Sequence, residues 1–163
     1  MVIFQTTMDE PNSDHASALR FTARAVRDQA HCPYSGLRVG AAVEVRLKDG
    51  SLAIFGGCNV ENASYGLTMC AERVAIGNAV AAGAVEVTQV VISTALAEPL
   101  PPCGGCRQVI SEFAKASAEV VSVCDDGTER QWRLDELLPA AVGGDDLPSS
   151  ARASGSGEAR ADG

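Results

Sequence analysis

Histidine, basic residues and long apolar runs are all scarce in this sequence. Only two histidines are present, His15 and His31, which excludes a histidine-rich metal site. The 13 basic residues are outnumbered by 21 acidic ones, giving a net charge of −8, whereas a protein that binds long DNA or RNA normally has a basic face. No run is apolar enough to cross a membrane, and the first ten residues show no secretory signal. We therefore expect a cytoplasmic protein that binds neither polynucleotides nor membranes.

Cysteine is better represented, and three of the six cysteines stand in a telling pattern. In a reducing compartment cysteines serve as metal ligands or core residues rather than as disulfides. Cys70 precedes Glu72 by two positions, and Cys103 and Cys106 follow in a Pro-Cys-Gly-Gly-Cys segment. One metal ligand, a glutamate two residues later and then Pro-Cys-x-x-Cys is the pattern of the zinc deaminases of nucleobases. The spacing therefore predicts a Zn²⁺ site made by three sulfurs.

Helix geometry separates the ligands from the acid. If Cys103 begins a helix, Cys106 lies about 60° away around its axis, so both sulfurs face the same way. Cys70 and Glu72 are about 200° apart on an ideal helix and cannot easily bind one ion together. We therefore expect Cys70, Cys103 and Cys106 as the ligands, and Glu72 as a catalytic acid and base beside the metal.

The hydrophobic pattern predicts an α/β fold with a single mixed sheet of five strands and helices packed on its faces. The domain is expected to cover 13–142, after an N-terminal extension, 1–12, and before a disordered tail rich in Gly, Ser and Ala, 143–163. The helices are predicted over 13–29, 70–82 and 103–117, and the strands over 37–47, 52–58, 87–94, 120–124 and 129–134.

Five segments in order carry a specific resemblance: 34–42, 57–67, 70–73, 102–108 and 137–139. Through them the chain resembles the short, homotetrameric cytidine deaminases over roughly residues 14–147. The resemblance implies a three-layer sandwich and a zinc hydrolase of pyrimidine salvage, which converts cytidine or deoxycytidine to the uridine product and ammonia. It also implies one Zn²⁺ per subunit with a water in the fourth position, from which Glu72 takes a proton that it passes to ring N3 and the leaving amine.

The same resemblance implies the substrate contacts. Asn59 and Glu61 match the positions that hold the ribose hydroxyl, although two polar residues in a loop could also be turn formers. Ala63 and Tyr65 lie in the segment that a neighbouring subunit lends to each site, so a homotetramer with shared sites is expected. Independently of the resemblance, Arg73 directly follows Glu72 and can donate to a thiolate, which predicts that it tunes the metal.

Two positions depart from the family. Leu37 stands where a phenylalanine usually stacks on the pyrimidine, and Val142 stands where another usually reaches a neighbour's site. The substitutions predict either weaker binding of cytidine or a pocket enlarged for a modified pyrimidine nucleoside or another amino-heterocycle. Two further alternatives are a thiol redox protein that uses Cys103 and Cys106, and a zinc fold without catalysis.

Overall fold

The computed structural model describes residues 6–8 and 13–146. Two one-turn 3₁₀ helices, Tyr65–Leu67 and Gly144–Asp146, accompany the regular elements. The strands are β1 (Thr6–Met8), β2 (Val39–Leu47), β3 (Leu52–Cys58), β4 (Ala84–Thr94), β5 (Ala114–Val123) and β6 (Glu129–Arg133). The helices are α1 (Ser13–Arg27), α2 (Ala71–Ala81), α3 (Gly104–Phe113) and α4 (Leu134–Leu137).

The strands form one mixed sheet in the order β1-β3-β2-β4-β5-β6. β4 and β5 are parallel and joined through α3, and every other neighbouring pair is antiparallel. The β2–β3 hairpin turns through Asp49 and Gly50, whose φ of +87 is readily adopted by glycine. The five predicted strands and the α/β class are confirmed. A short sixth strand, β1, comes from the predicted N-terminal extension and pairs with β3.

Helices cover both faces of the sheet, because alternate strand residues point to opposite sides. On one face α1 packs Leu19 and Ala23 against strand residues that include Ala42 and Val91. On the other face α2 and α3 pack over the neighbouring positions of the same strands, Val43 and Val90 among them. The two buried clusters make the three-layer sandwich that the resemblance implies.

One predicted boundary is wrong. The helix expected over 103–117 ends at Phe113, and the chain enters β5 at Ala114. Ala114 pairs with Val87 of β4, so tertiary strand pairing overrides the helix preference of an alanine-rich segment. The predicted tail begins with the 3₁₀ helix Gly144–Asp146, and its remainder, 147–163, lies outside the described residues.

None of the helices within 13–146 is long and apolar enough to cross a membrane.

Candidate active site

Three cysteine sulfurs meet where α2 and α3 begin. The Sγ atoms of Cys70, Cys103 and Cys106 all lie within 4.8 Å of one another, and Cys70 Sγ is 3.9 Å from Cys103 Sγ. Sulfurs bound to one tetrahedral zinc ion at about 2.3 Å would be about 3.8 Å apart. The residues present therefore fit a zinc ion, with three protein ligands and a fourth position open to the solvent or substrate.

The helix starts explain why these sulfurs are suited to a cation site. Cys70 and Cys103 are the N-cap residues of α2 and α3, with extended backbones and no side-chain capping hydrogen bond. The positive end of each helix dipole favours a thiolate at this place and lowers cysteine pKa values. Cys106 lies in the first turn of α3 and is buried. The fold thus brings the three candidate ligands together and leaves the sulfurs of Cys70 and Cys103 without a capping bond.

Two of the three thiols, Cys70 and Cys106, do not ionise independently. A hydrogen bond from Cys106 is the main cause that lowers the pKa of Cys70 to about 5, and Arg73 assists. The same hydrogen bond, with burial, raises the pKa of Cys106. The hydrogen bond between the two sulfurs thus favours the thiolate at Cys70 and keeps the proton on Cys106. A cation among the sulfurs would remove the need for that proton, as expected of metal ligands, which bind as thiolates.

Arg73 links one ligand to the loop before α2. Its Nη2 atom donates to Cys70 Sγ at 3.4 Å and to the Thr68 carbonyl at 2.9 Å. The structure thus places the guanidinium where the sequence predicted a donor to a thiolate. A positive charge at this distance stabilises the Cys70 thiolate. The hydrogen bond to Thr68 holds the guanidinium in the orientation that points it at the sulfur.

Glu72 lies in the first turn of α2 beside the sulfurs. Only 5% of the residue is exposed, and burial is the main cause that raises the pKa of its carboxyl above the usual range, with the Cys70 charge acting in the same direction. A carboxyl whose pKa is raised toward neutrality can both accept and release a proton. This is the property that a general acid and base requires.

A cavity of about 430 Å³ opens over the cluster, which is within the usual size of small-molecule pockets. Cys70, Cys103 and Glu72 contribute to its lining on the metal side. Its apolar lining includes Leu37, Met69, Ile92 and Leu100, and its polar lining includes Asn59 and Glu61. The cavity therefore combines an apolar wall with a few polar groups close to the candidate metal site.

Asn59 and Glu61 both line this cavity and both hold the loop that carries Leu37. Asn59 Oδ1 accepts from the Val39 N–H at 2.8 Å, and its Nδ2 donates to the Leu37 carbonyl at 2.9 Å. Glu61 accepts hydrogen bonds from the N–H groups of Tyr34 and Ser35 and from the Ser35 hydroxyl. The Ser35 hydroxyl is the main cause that lowers the pKa of Glu61. Both residues are thus turn formers as well as candidate ligands.

Ala63 and Tyr65 are not brought to the metal cavity of the same chain. Both are exposed, and 74% of Tyr65 is accessible. The Tyr65 ring packs edge-on against Tyr34, with 5.8 Å between centroids. A second cavity of about 380 Å³ beside these rings shares Ser35 and Glu61 with the first.

Comparison with known proteins identifies the family. A family model for the cytidine and deoxycytidylate deaminase zinc-binding region matches residues 14–124, which hold all three sulfurs and Glu72. The chain belongs to this family.

Curated relatives and solved structures agree with this assignment. The chain is 41% identical over 121 residues to a cytidine deaminase of Halalkalibacterium halodurans, covering 74% of this chain and 89% of that protein. It is 39% identical over 134 residues to the cytidine deaminase of Mycobacterium tuberculosis, covering 82% and 94%. The crystal structure of cytidine deaminase from Burkholderia pseudomallei superposes with a TM-score of 0.70 at 43% identity, over 77% of this chain and 98% of that one.

Several residues of the cavity were not predicted from the sequence. Leu100 and Pro101 form part of its wall, and Arg107 also lines it. Three prolines, Pro99, Pro101 and Pro102, precede Cys103, but nothing in their spacing shows that this segment folds over the candidate metal site. Met69 and Thr68 could have been found, since they directly precede the first ligand.

Proposed function

We propose that this protein is a zinc-dependent hydrolase that deaminates cytidine and deoxycytidine to uridine and deoxyuridine, with release of ammonia. One observation carries the proposal: three sulfurs within 4.8 Å of one another form a metal site with an open position, and a buried carboxyl stands beside it. Zinc bound by Cys70, Cys103 and Cys106 would lower the pKa of a water in the open position, so that a nucleophile is available near neutral pH.

Glu72 moves the protons of the reaction. Attack of water at C4 of the pyrimidine requires loss of a proton from that water and gain of one at ring N3. Expulsion of ammonia requires a further proton on the amine. The Glu72 carboxylate accepts the first proton at an oxygen of its side chain and delivers it to N3. It then takes the remaining proton from the hydroxyl added at C4, as the carbonyl forms, and delivers that proton to the amine while the C4–N bond breaks. Its buried position favours this exchange, because a desolvated carboxyl binds a proton more tightly than one in water.

Asn59 and Glu61 hold the sugar. A carboxylate offers about four acceptor sites, and an amide offers two donors and two acceptors. The loop 34–39 occupies three of the acceptor sites on Glu61, and one donor and one acceptor on Asn59. The remaining capacity suits a hydroxyl that donates to Glu61 and accepts from Asn59. Leu37, Met69 and Ile92 supply apolar contact for the flat base.

A homotetramer with shared sites is part of this proposal. Apolar side chains are exposed at Tyr34, Val60, Tyr65 and Leu67. Two of them, Tyr34 and Tyr65, line the second cavity, which shares Ser35 and Glu61 with the first. A cluster of this kind is typical of a subunit interface. A second chain seated there covers these side chains and brings its own Ala63 and Tyr65 segment to the neighbouring cavity. We place the enzyme in the cytoplasm, in pyrimidine salvage, with domain bounds of 13–142.

A second candidate substrate class follows from Leu37 and Val142. Leu37 lines the cavity, and Val142 is 58% exposed near the end of the described chain. Aromatic stacking on a base contributes about 1–3 kcal/mol, which neither side chain fully replaces. A modified pyrimidine nucleoside or another amino-heterocycle that fills the added space is therefore the alternative substrate for the same chemistry.

Ammonia release from a panel of amino-nucleosides tests the proposal, with zinc content measured on the same samples and Glu72→Gln as the matched variant. We expect the wild type to act best on cytidine or deoxycytidine, and Glu72→Gln to retain zinc while losing at least about 10²–10⁴-fold in turnover. Strong activity on a modified nucleoside alone would select the second substrate class. Zinc binding without turnover would indicate a non-catalytic fold, and disulfide reduction without metal would indicate a redox protein.

A further inference from the structure

Two neighbouring side chains of α3 reach the C-terminal part of the described chain. Arg107 Nε donates to the Pro102 carbonyl at 2.8 Å, and its Nη1 donates to the Leu137 carbonyl at 2.9 Å. Gln108 Nε2 donates to the Val142 carbonyl at 2.8 Å. The first turns of α3 are therefore tied both to the end of α4 and to the segment that follows it.

Each carbonyl bound by Arg107 needs a donor. Pro102 is buried, and Leu137 is the last residue of α4, where helix carbonyls are left without intrahelical partners. The planar guanidinium reaches both acceptors at once, which a single ammonium cannot do in a fixed geometry. Within the described chain no carboxylate lies in ion-pair distance of Arg107, so its role here is to bind backbone rather than to neutralise a side chain.

Cys103 directly follows one of the two residues that Arg107 binds. Cys103 is exposed, has no side-chain capping bond, and directly follows Pro102 at the end of an irregular segment. Behind it, Leu137 and Ile110 belong to the same buried cluster. Arg107 thus joins the backbone immediately before an exposed ligand to a residue fixed in the core.

We propose that Arg107 and Gln108 form a clasp that positions Cys103 by tying the metal-binding turn to residues 137–142. We class both as positioning residues because their side chains donate to backbone carbonyls, although Arg107 also lines the cavity. The inference rests on the proposed function, because it concerns the placement of a zinc ligand. By reciprocity, if the clasp supports zinc binding, zinc binding must also stabilise residues 138–142.

Arg107→Lys tests the clasp, because it keeps the charge and removes the fork. We expect zinc affinity, measured by competition with a chromophoric chelator, to fall about 10- to 100-fold. Arg24→Lys is the matched control. Arg24 also donates to two backbone carbonyls, those of Cys124 at 3.1 Å and Asp125 at 3.2 Å, but on the opposite face of the sheet. It should leave the zinc affinity unchanged. Gln108→Ala removes the exposed hydrogen bond to the Val142 carbonyl, so the zinc affinity should fall about two- to tenfold.

Amide hydrogen exchange distinguishes a role in zinc binding from a purely structural role, because only the first makes the protection of residues 138–142 depend on zinc. In the wild type and in Arg24→Lys, zinc should slow exchange of residues 138–142, and in Arg107→Lys this zinc-dependent protection should be lost. Wild-type zinc affinity in Arg107→Lys, or protection of 138–142 that does not depend on zinc, would overturn the clasp and leave the proposed function intact. A wild-type chain that binds no zinc would overturn both.

Discussion

The N-terminus of α2 is packed against the sheet, whereas the N-terminus of α3 is exposed. Ala71, the first residue of α2, is fully buried, and Gly57 of β3 lies directly beneath the helix. A methyl group added at Gly57 would stand 2.3 Å from the Ala75 nitrogen and 2.7 Å from the Ala71 carbonyl oxygen. Close contact of backbone with backbone therefore positions Cys70 and Glu72.

The start of α3 is held by different means. A methyl group added at Gly104 or Gly105 would meet nothing within 4 Å, and Cys103 before them is exposed. Arg107 and Gln108 supply the contacts that packing does not. Only one of the two helix starts at this candidate metal site is therefore set rigidly by the sheet, and hydrogen bonds hold the other.

Of the substitutions that test this difference between α2 and α3, Gly57→Ala is expected to change stability and zinc affinity most. The new methyl group overlaps backbone atoms of α2, so the helix must move away from β3, at a cost of about 3 kcal/mol in the free energy of unfolding. The displacement carries Cys70 and Glu72 with it, so zinc affinity should fall as well. Thermal unfolding at fixed protein concentration and a zinc titration measure both effects.

Gly77→Ala is the control for that substitution. Gly77 lies within α2 and faces open space, so alanine should stabilise the helix by about 0.5–1 kcal/mol and leave zinc binding unchanged. Equal unfolding temperatures for Gly57→Ala and Gly77→Ala would show that the contact between α2 and β3 is not tight.

Arg73→Ala is expected to have an intermediate effect. It removes the donor to Cys70 Sγ and the bond to Thr68, and zinc affinity should fall about 10- to 100-fold. Arg73→Lys keeps a charge near the sulfur, so its zinc affinity should lie between those of Arg73→Ala and the wild type. Arg107→Lys also keeps the charge but should still lose zinc affinity, because at that position the forked geometry of the guanidinium matters rather than its charge. Unchanged zinc binding and turnover in Arg73→Ala would remove its tuning role.

The two helix starts also differ in how far the sequence predicts them. The candidate ligands, the place of Glu72 and the Arg73 contact follow from spacing and donor chemistry, because each is a property of a side chain at a fixed helical offset. The clasp could not be predicted, since its acceptors are backbone carbonyls, which every residue carries. Nor could the cavity wall at Leu100, because an irregular segment has no periodicity that fixes its position.

Element boundaries show the same limit. The expected end of α3 near 117 was wrong because Ala114 pairs with Val87, a contact between residues distant in the chain. Likewise β1 was not predicted, because three residues at a sheet edge carry too little pattern. Local propensity predicts that most of these elements exist, and tertiary strand pairing decides where α3 ends and where β5 begins.

Gly105→Ala should have the smallest effect and sharpens the comparison most directly. Gly105 stands between two proposed ligands in the first turn of α3, where a methyl group meets open space. Alanine is the better helix former, so we expect a gain of about 0.5–1 kcal/mol in the free energy of unfolding and an unchanged zinc affinity. A large loss of zinc affinity would mean that the turn is closely packed in the assembled protein. The start of α3 would then be held as tightly as that of α2, and the clasp would be redundant.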